Sequence, residues 1–543
     1  MLDRFAQWCH LVSGWQRQAV AFVAGAIAAL SMPPLNLLPA AFVGFPIIVW
    51  LLDGVERKQT LVARAFGPAF RIGWAFGFGY FTIGLHWMSG AFFVEPDLFL
   101  WALPLGLFGL PALLAIFWGL ATAFAHLFWS DFGQRILALA VSIALFEFLR
   151  GHLFTGFPWN LPGMMFALSL ETMQLGALIG VYGMSFIAVL LALTPAAIWP
   201  NLEQPTSARF GPLGAAIIVL CGIFSFGYWQ LGQSPTTYRD DVNLRLVQPN
   251  IPQAEKWKPE NAELIFSQLL AMSAEKASPA DPGIIAATHV IWPESVFPFF
   301  IDDHPDALAR IARMLPNGTN LIAGAARENR DFAGLDENAG GIHNAIISIN
   351  DQGEINAAYN KYRLVPFGEF VPFKPILSLF GIRELVTASD SFVHGQRPNT
   401  PMNPLGTPPF LPLICYEVIF SGGMGASIAQ SQWMLNLTND AWFSGTIGPS
   451  QHFVHAQMRA IEEGVPLVRV ANTGITAIID PVGRVVARLQ SDEPGVLNSK
   501  LPERLEQTVF SSYRHNVFYL MIFGSFLLVL LRNRWRRYWE NID

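Results

Sequence analysis

Eight apolar stretches of bilayer-spanning length limit what this 543-residue chain can fold into. They fall at about 16–31, 37–52, 68–90, 98–128, 134–150, 174–199, 212–232 and 515–531. Gly77-Phe78-Gly79 and Pro104 interrupt two of them. Such breaks are tolerated in a spanning helix because neighbouring helices satisfy the freed backbone groups. The charges avoid this region. Residues 1–235 carry only 18 of the 74 Lys, Arg, Asp and Glu side chains. Charged residues make up 14% of the chain, against about 25% in a soluble globular protein. A disordered, collagen-like or ordinary soluble chain is thereby excluded. The first stretch is preceded by Arg4 and Arg17, as a signal peptide would be. Pro33-Pro34 suits a loop rather than a cleavage site, so it reads as a retained span.

Loop charges set an expected orientation. Arg57, Lys58, Arg64 and Arg71 separate spans two and three, Arg135 separates four and five, and Arg209 separates six and seven. Arg532, Arg534, Arg536 and Arg537 follow span eight, whereas the alternate loops hold Glu95 and Asp97 or a lone Arg150. All the basic loops share one side if both termini are cytoplasmic. The expected organisation is a seven-helix bundle over 1–235, an extracytoplasmic domain over 236–512, and an eighth helix with a basic tail over 513–543.

The region 240–510 reads as α/β. Short β-rich runs at 242–247, 290–292, 321–324, 345–349, 410–414, 433–437, 467–470 and 476–479 alternate with helical patterns at 260–275, 305–315 and 451–463. That alternation predicts layered sheets covered by helices. A net charge of −6 gives no footprint for nucleic acid. Cys9, Cys221 and Cys415 are too few and too scattered for a disulfide framework or a zinc cluster. Cys9 and Cys221 lie in or beside apolar segments, where a small buried hydrophobe is the ordinary reading.

Cys415 ends the apolar run Phe410-Leu411-Pro412-Leu413-Ile414, a place where side chains face a crevice in open α/β sheets. A helix starting just after it favours the thiolate, and a buried structural cysteine fits the same position. Glu294 follows Val290-Ile291-Trp292-Pro293. It is either a desolvated carboxylate poised as a base or one that faces water. Lys361 reads equally as a surface charge and as the cation that stabilises an oxyanion. His452 and His455 share a helix face at i, i+3, but no third metal ligand stands out in the sequence. Glu147 and Arg150 are spaced to pair near a helix end.

Taken in order, Glu294, Lys361 and Cys415 resemble the Glu-Lys-Cys triad of the nitrilase superfamily. Trp-Pro-Glu at 292–294, Leu-Val-Pro-Phe-Gly-Glu at 364–369, Ile-Cys-Tyr-Glu at 414–417, Thr-Asn-Asp-Ala-Trp-Phe at 438–443 and Asn-Thr-Gly at 472–474 narrow the match. These motifs are similar to those of the apolipoprotein N-acyltransferases, its membrane-embedded branch, and the resemblance runs through the whole chain. Ile475-Thr476 after Asn-Thr-Gly departs mildly from that pattern, where a serine is expected more often.

The resemblance implies an αββα nitrilase-like domain on an eight-helix membrane bundle in the bacterial inner membrane, with the catalytic domain periplasmic. It also implies a two-step acyl transfer without metal or cofactor. The acyl donor is a phospholipid, with phosphatidylethanolamine at sn-1 expected. The acceptor is the α-amine of a diacylglyceryl-cysteine on an apolipoprotein. Cys415 forms the thioester, Glu294 carries the proton and Lys361 stabilises the oxyanion. Glu369, eight residues after Lys361, is expected to hold that lysine, and Tyr416 and Glu417 to support the nucleophile. Trp257, Trp442 and Phe443 suit an acyl-chain entrance, because aromatic side chains favour the boundary of water and lipid. Two rivals remain at this point. A membrane-tethered amidase would use the same triad with water as acceptor, and a receptor or scaffold would be expected to show a broken triad.

Overall fold

The computed structural model describes residues 2–56, 67–130, 133–199, 205–276, 278–328, 341–371, 392–423, 425 and 427–540. Arg57, Lys58 and Arg64, which entered the orientation argument, lie outside them. The chain forms two compact units, one of Met1–Ser234 with Thr508–Asp543 and one of Pro235–Gln507.

The first unit is helical. Its elements are α1 (Leu2–Leu11), α2 (Gly14–Ala29), α3 (Leu38–Asp53), α4 (Pro68–Leu85), α5 (Leu110–Leu127), α6 (Gly133–His152), α7 (Gly176–Leu193) and α8 (Thr206–Gln233). A last helix of the chain, Asn516–Glu540, belongs to it as well. Each of the eight apolar stretches falls on a helix. By length and apolar composition, three described segments can cross a membrane: Pro96–Leu127, Gly176–Ala197 and Arg209–Gln233. Leu38–Asp53 and Asn516–Arg532 are apolar but shorter. Helix α2 has only 16 residues and includes Arg17, and α6 carries Arg135, Glu147 and Arg150.

Small residues bring α2 and α4 together. A Cβ on Gly25 would lie 1.9 Å from the Phe76 carbonyl oxygen, and one on Gly79 would lie 2.0 Å from that of Phe22. Only glycine permits this approach, which supplies close van der Waals packing where lipid offers no hydrophobic drive. The charges on α6 are buried in pairs. Glu147 accepts from Arg150 at 2.5 and 2.9 Å and from the Trp118 indole at 2.7 Å. Arg150 also donates to the carbonyls of Phe157 and Trp159. This fully partnered pair holds the helix end together, in keeping with its spacing in the sequence.

The second unit is a two-sheet α/β fold. One sheet has β1 (Tyr238–Gln248), β2 (His289–Ile291), β3 (Asn320–Glu328), β4 (Ile342–Ile349) and β5 (Ile355–Asn360). The other has β6 (Phe410–Ile414), β7 (Trp433–Thr438), β8 (Leu467–Ala471), β9 (Ala477–Ile479) and β10 (Val485–Arg488). Strand β11 (Gly495–Pro502) returns to the first, giving orders β11-β1-β2-β3-β4-β5 and β10-β9-β8-β7-β6. Strands β1, β2 and β3 run parallel, as do β6, β7 and β8.

Alternation along the strands separates two cores. Leu246, Ile291, Ile322 and Ile346 of the first sheet meet Phe410, Ile414, Leu435, Leu437 and Val468 of the second. Val247, Val290, Leu321 and Ile347 point the other way and pack on Ala262–Ala274 and Pro305–Met314, through Phe266, Leu269, Ala307 and Ile311. The helix Gly448–Glu463 lies against β8. The layers are therefore helix, sheet, sheet, helix. The strand ends that matter for chemistry, those of β2, β5, β6 and β7, gather at one edge.

Candidate active site

Strand β2 ends at Ile291, and Glu294 follows in a tight turn in which Ser295 has φ +47°. Strand β5 ends at Asn360, placing Lys361 next. Strand β6 ends at Ile414 and Cys415 follows, with φ +48°, before a short helical turn over Cys415–Ile419. A left-handed backbone is strained for a residue with a Cβ, and such strain persists where surrounding structure over-determines it. Here the anchors are explicit. Glu417 Oε2 accepts from the Ile414 N–H at 2.8 Å. Its Oε1 accepts from the Tyr359 hydroxyl at 2.8 Å, the Tyr362 N–H at 2.9 Å and the Arg363 N–H at 3.0 Å. One buried carboxylate therefore ties the residue before Cys415 to the residues after Lys361.

Lys361 is buried and donates to Glu369 Oε1 at 2.8 Å, with Glu294 Oε1 at 3.5 Å. Asn344 of β4 bridges the two carboxylates, donating to Glu294 at 2.8 Å and Glu369 at 2.9 Å. Glu369 Oε2 accepts from the Val365 N–H at 2.8 Å. Burial alone would pull the lysine pKa down. Glu369, then Glu294 and Cys415, outweigh it and hold the ammonium charged above the usual lysine range. The thiol behaves oppositely. Burial and then Glu294 push the Cys415 pKa up to about 12, against Lys361 and a hydrogen bond with Thr438. Cys415 thus rests as a thiol, although a short helical turn follows it. For such a thiol to attack, a base must take its proton, and among the carboxylates Glu294 acts on it most strongly.

Tyr416 is buried, with its ring edge-on to Phe420 at 5.1 Å. Trp257 and Trp442 are largely exposed and Phe443 is half-buried. The turn before Trp257 and the one carrying Trp442 and Phe443 are tied by Asn439, which donates to Gln253 at 2.7 Å.

Three further charged side chains, Asp440, Arg469 and Lys256, take up places here that their sequence positions do not reveal. Asp440 lies between Arg469, 2.7 Å from Oδ2, and His452, 2.9 Å from Oδ1. His452 Nε2 is 3.2 Å from the Cys415 carbonyl, to which Asn436 also donates at 3.4 Å. Arg469 donates to Asn436 in turn. Burial would raise the Asp440 pKa, but Arg469 and His452 hold it well below the carboxylate range. Burial and Arg469 lower that of His452. Cys415, Asp440 and His452 do converge, their donor atoms lying within 4.8 Å of one another. His455 is not part of that cluster. Both Asp440 oxygens are already engaged, and the Arg469 guanidinium stands 3.1 Å from His452 Nδ1, where it supplies the positive charge a metal would bring. Gly474 closes the arrangement, since a Cβ there would lie 2.2 Å from Asp440 Oδ2. The Asn-Thr-Gly motif thus makes room for the carboxylate beside Cys415. Lys256 is the third of these side chains. It is buried, with its Nζ donating to the Glu294 carbonyl at 3.1 Å.

Residues 24–194 match the apolipoprotein N-acyltransferase N-terminal domain, and 243–509 match the carbon-nitrogen hydrolase domain. An apolipoprotein N-acyltransferase of Rhodopseudomonas palustris is 40% identical over 534 residues, covering 98% of both chains. The chain belongs to the apolipoprotein N-acyltransferase family. A second member, from Brucella suis, is 41% identical over 505 residues, covering 92% of this chain and 93% of its own. An amidase of Nesterenkonia sp. AN1 is 18% identical, with a TM-score of 0.34, covering 50% of this chain and 93% of that one. Family membership agrees with the resemblance read from the motifs and with the carbon-nitrogen hydrolase fold of the second unit.

Proposed function

We propose that this chain N-acylates lipoproteins, taking an acyl group from a phospholipid and passing it through a thioester on Cys415 to the α-amine of a diacylglyceryl-cysteine. The observation that carries the reading is the meeting of Glu294 and Lys361, after strands of the first sheet, with Cys415, after a strand of the second, in a chain related throughout its length to this family. In the first step Glu294 takes the thiol proton while sulfur attacks the ester carbonyl. Lys361 faces the oxyanion, the ester C–O bond breaks, and Glu294 returns the proton to the departing lysophospholipid hydroxyl. In the second step the amine nitrogen attacks the thioester, the C–S bond breaks, and the amine proton passes through Glu294 to sulfur. A free α-amine has a pKa near ~8, so a useful fraction is unprotonated at neutral pH.

Phosphatidylethanolamine at sn-1 is the donor we favour. Trp257, Trp442 and Phe443 would receive its chain, and Glu369, Tyr416 and Glu417 would hold the machinery. Eight crossings with both termini cytoplasmic, in the inner membrane, put the catalytic unit on the periplasmic side, as the loop charges support. The membrane unit favours the transferase over a water-using amidase, which needs no such bundle. The test is to give the purified protein phospholipid labelled in its acyl chains together with a diacylglyceryl-cysteine peptide. N-acyl peptide should form, and Cys415→Ala should abolish it. Full activity of that variant defeats the reading.

A further inference from the structure

Lys256 closes the single helical turn Gln253–Lys256, and its side chain is 1% exposed. Among the described residues its ammonium makes one hydrogen bond, to the Glu294 carbonyl at 3.1 Å, and no ion pair. A buried ammonium with one neutral acceptor is costly unless an anion is near or one forms in use. The groups that act on it electrostatically are Glu294 and Cys415, the proposed base and nucleophile. Its own neighbour Trp257 adds a weak attraction, the ring centre lying 5.6 Å from Nζ.

We propose that Lys256 is a positioning residue of the acyl transfer, whose ammonium pins the Glu294 turn and adds a second positive charge where Cys415 becomes a thiolate. This rests on the reading of Cys415 as nucleophile. Lys361 cannot fill the same role alone, because Glu369 and Glu294 already share its charge. Among the described residues Lys256 forms no ion pair, so its charge is less committed than that of Lys361 before the thiol loses its proton. Among the described residues, the charged groups around Glu294 and Cys415 are Lys361 after β5, Glu369 in the following loop, Glu417 in the turn after β6, and Asp440 after β7 with its partners Arg469 on β8 and His452 on the helix Gly448–Glu463. Burial pulls the Lys256 pKa down to about 8 against the attraction of Glu294 and Cys415, so its charge is lost within an accessible range.

The test is the rate of Cys415 alkylation by iodoacetamide in the full-length protein, from pH 6.5 to 9.5, followed by mass analysis of the Cys415 peptide. Below its pKa a thiol reacts about tenfold faster per pH unit. In the wild type that slope should slacken near pH 8 as Lys256 loses its charge. Lys256→Met should give a straight profile, about tenfold or more slower at pH 7, because a nearby opposite charge favours the thiolate by that factor. It should meet the wild type above about pH 9. Lys256→Arg should keep the fast rate with no change of slope. The wild-type profile needs no mutant to fold, and an even slope through pH 8 overturns the proposal. So does a change of slope that persists in Lys256→Met, or a Lys256→Met rate equal to the wild type at pH 7. Alkylation does not require acyl transfer, so failure here is separate from a Cys415→Ala variant that still acylates.

Discussion

Replacing Glu417 by glutamine removes the tie between the nucleophile's backbone and the lysine's. The carboxylate serves four donors in a site with no solvent access: three on Oε1 and the Ile414 N–H on Oε2. An amide has one oxygen. If that oxygen keeps the Oε1 place, its NH2 group faces the Ile414 N–H, donor against donor. One buried N–H then lies unsatisfied, at ~1–3 kcal/mol. The three remaining bonds fall from charge-assisted to neutral strength, roughly 1 kcal/mol each. Part of this returns, because burial already disfavours the charged form and pushes the Glu417 pKa up. The net cost is about 3 kcal/mol. The kinetic effect is of similar size, since Ile414 precedes Cys415 and Tyr362 follows Lys361. A displacement of about 1 Å between nucleophile and cation costs about 100-fold. The assay is the rate at which acyl-enzyme mass appears after mixing full-length protein with phospholipid, beside a urea midpoint followed by tryptophan fluorescence. Acylation within twofold of wild type by folded Glu417→Gln refutes the claim that this carboxylate sets the geometry.

Other variants probe the remaining links. Glu294→Gln should slow thioester formation by about 10²–10⁴ and Lys361→Met by about 10²–10³, the ordinary worth of a general base and an oxyanion donor; single-turnover acylation reads both. Gly474→Ala drives a methyl group into Asp440 and should cut acylation by more than about tenfold, through displacement of His452 from the Cys415 carbonyl; an unimpaired variant contradicts that chain of contacts. Asp440→Asn should lower the urea midpoint at pH 7. The folded Asp440 pKa is depressed, so its stabilisation is present above the unfolded value near ~4 and is lost as pH falls toward the folded value. The gap between wild type and variant should therefore narrow below about pH 4, and a constant gap refutes the assignment.

Much of this architecture is legible in the sequence because it rests on local pattern. Apolar runs locate the helices of the first unit, and runs such as 290–292 and 410–414 end where Glu294 and Cys415 stand. The seven residues between Lys361 and Glu369 are enough for the loop to turn back and form a direct ion pair. Long-range polar contacts leave no such trace. Asn344 links Glu294 to Glu369 from a strand read only as apolar, and Lys256 reaches Glu294 across 38 positions. Helical spacing relates His452 only to His455 and cannot reveal an aspartate and an arginine brought in by the turn after β7 and by β8. The thiol's protonation is equally hidden, since it depends on how the fold shields Cys415 from water and sets the Glu294 carboxylate near it.

The most direct test of the account follows the acyl group itself. Acyl-enzyme made in a single turnover with phospholipid is separated from the donor and mixed with a diacylglyceryl-cysteine peptide, and the Cys415 peptide and the acceptor are weighed over time. The account predicts a hydroxylamine-labile acyl mass on Cys415 that disappears as the same mass appears on the peptide's α-amine. Label lost only as free fatty acid, or an N-acyl peptide formed while Cys415 never carries the acyl group, would contradict it.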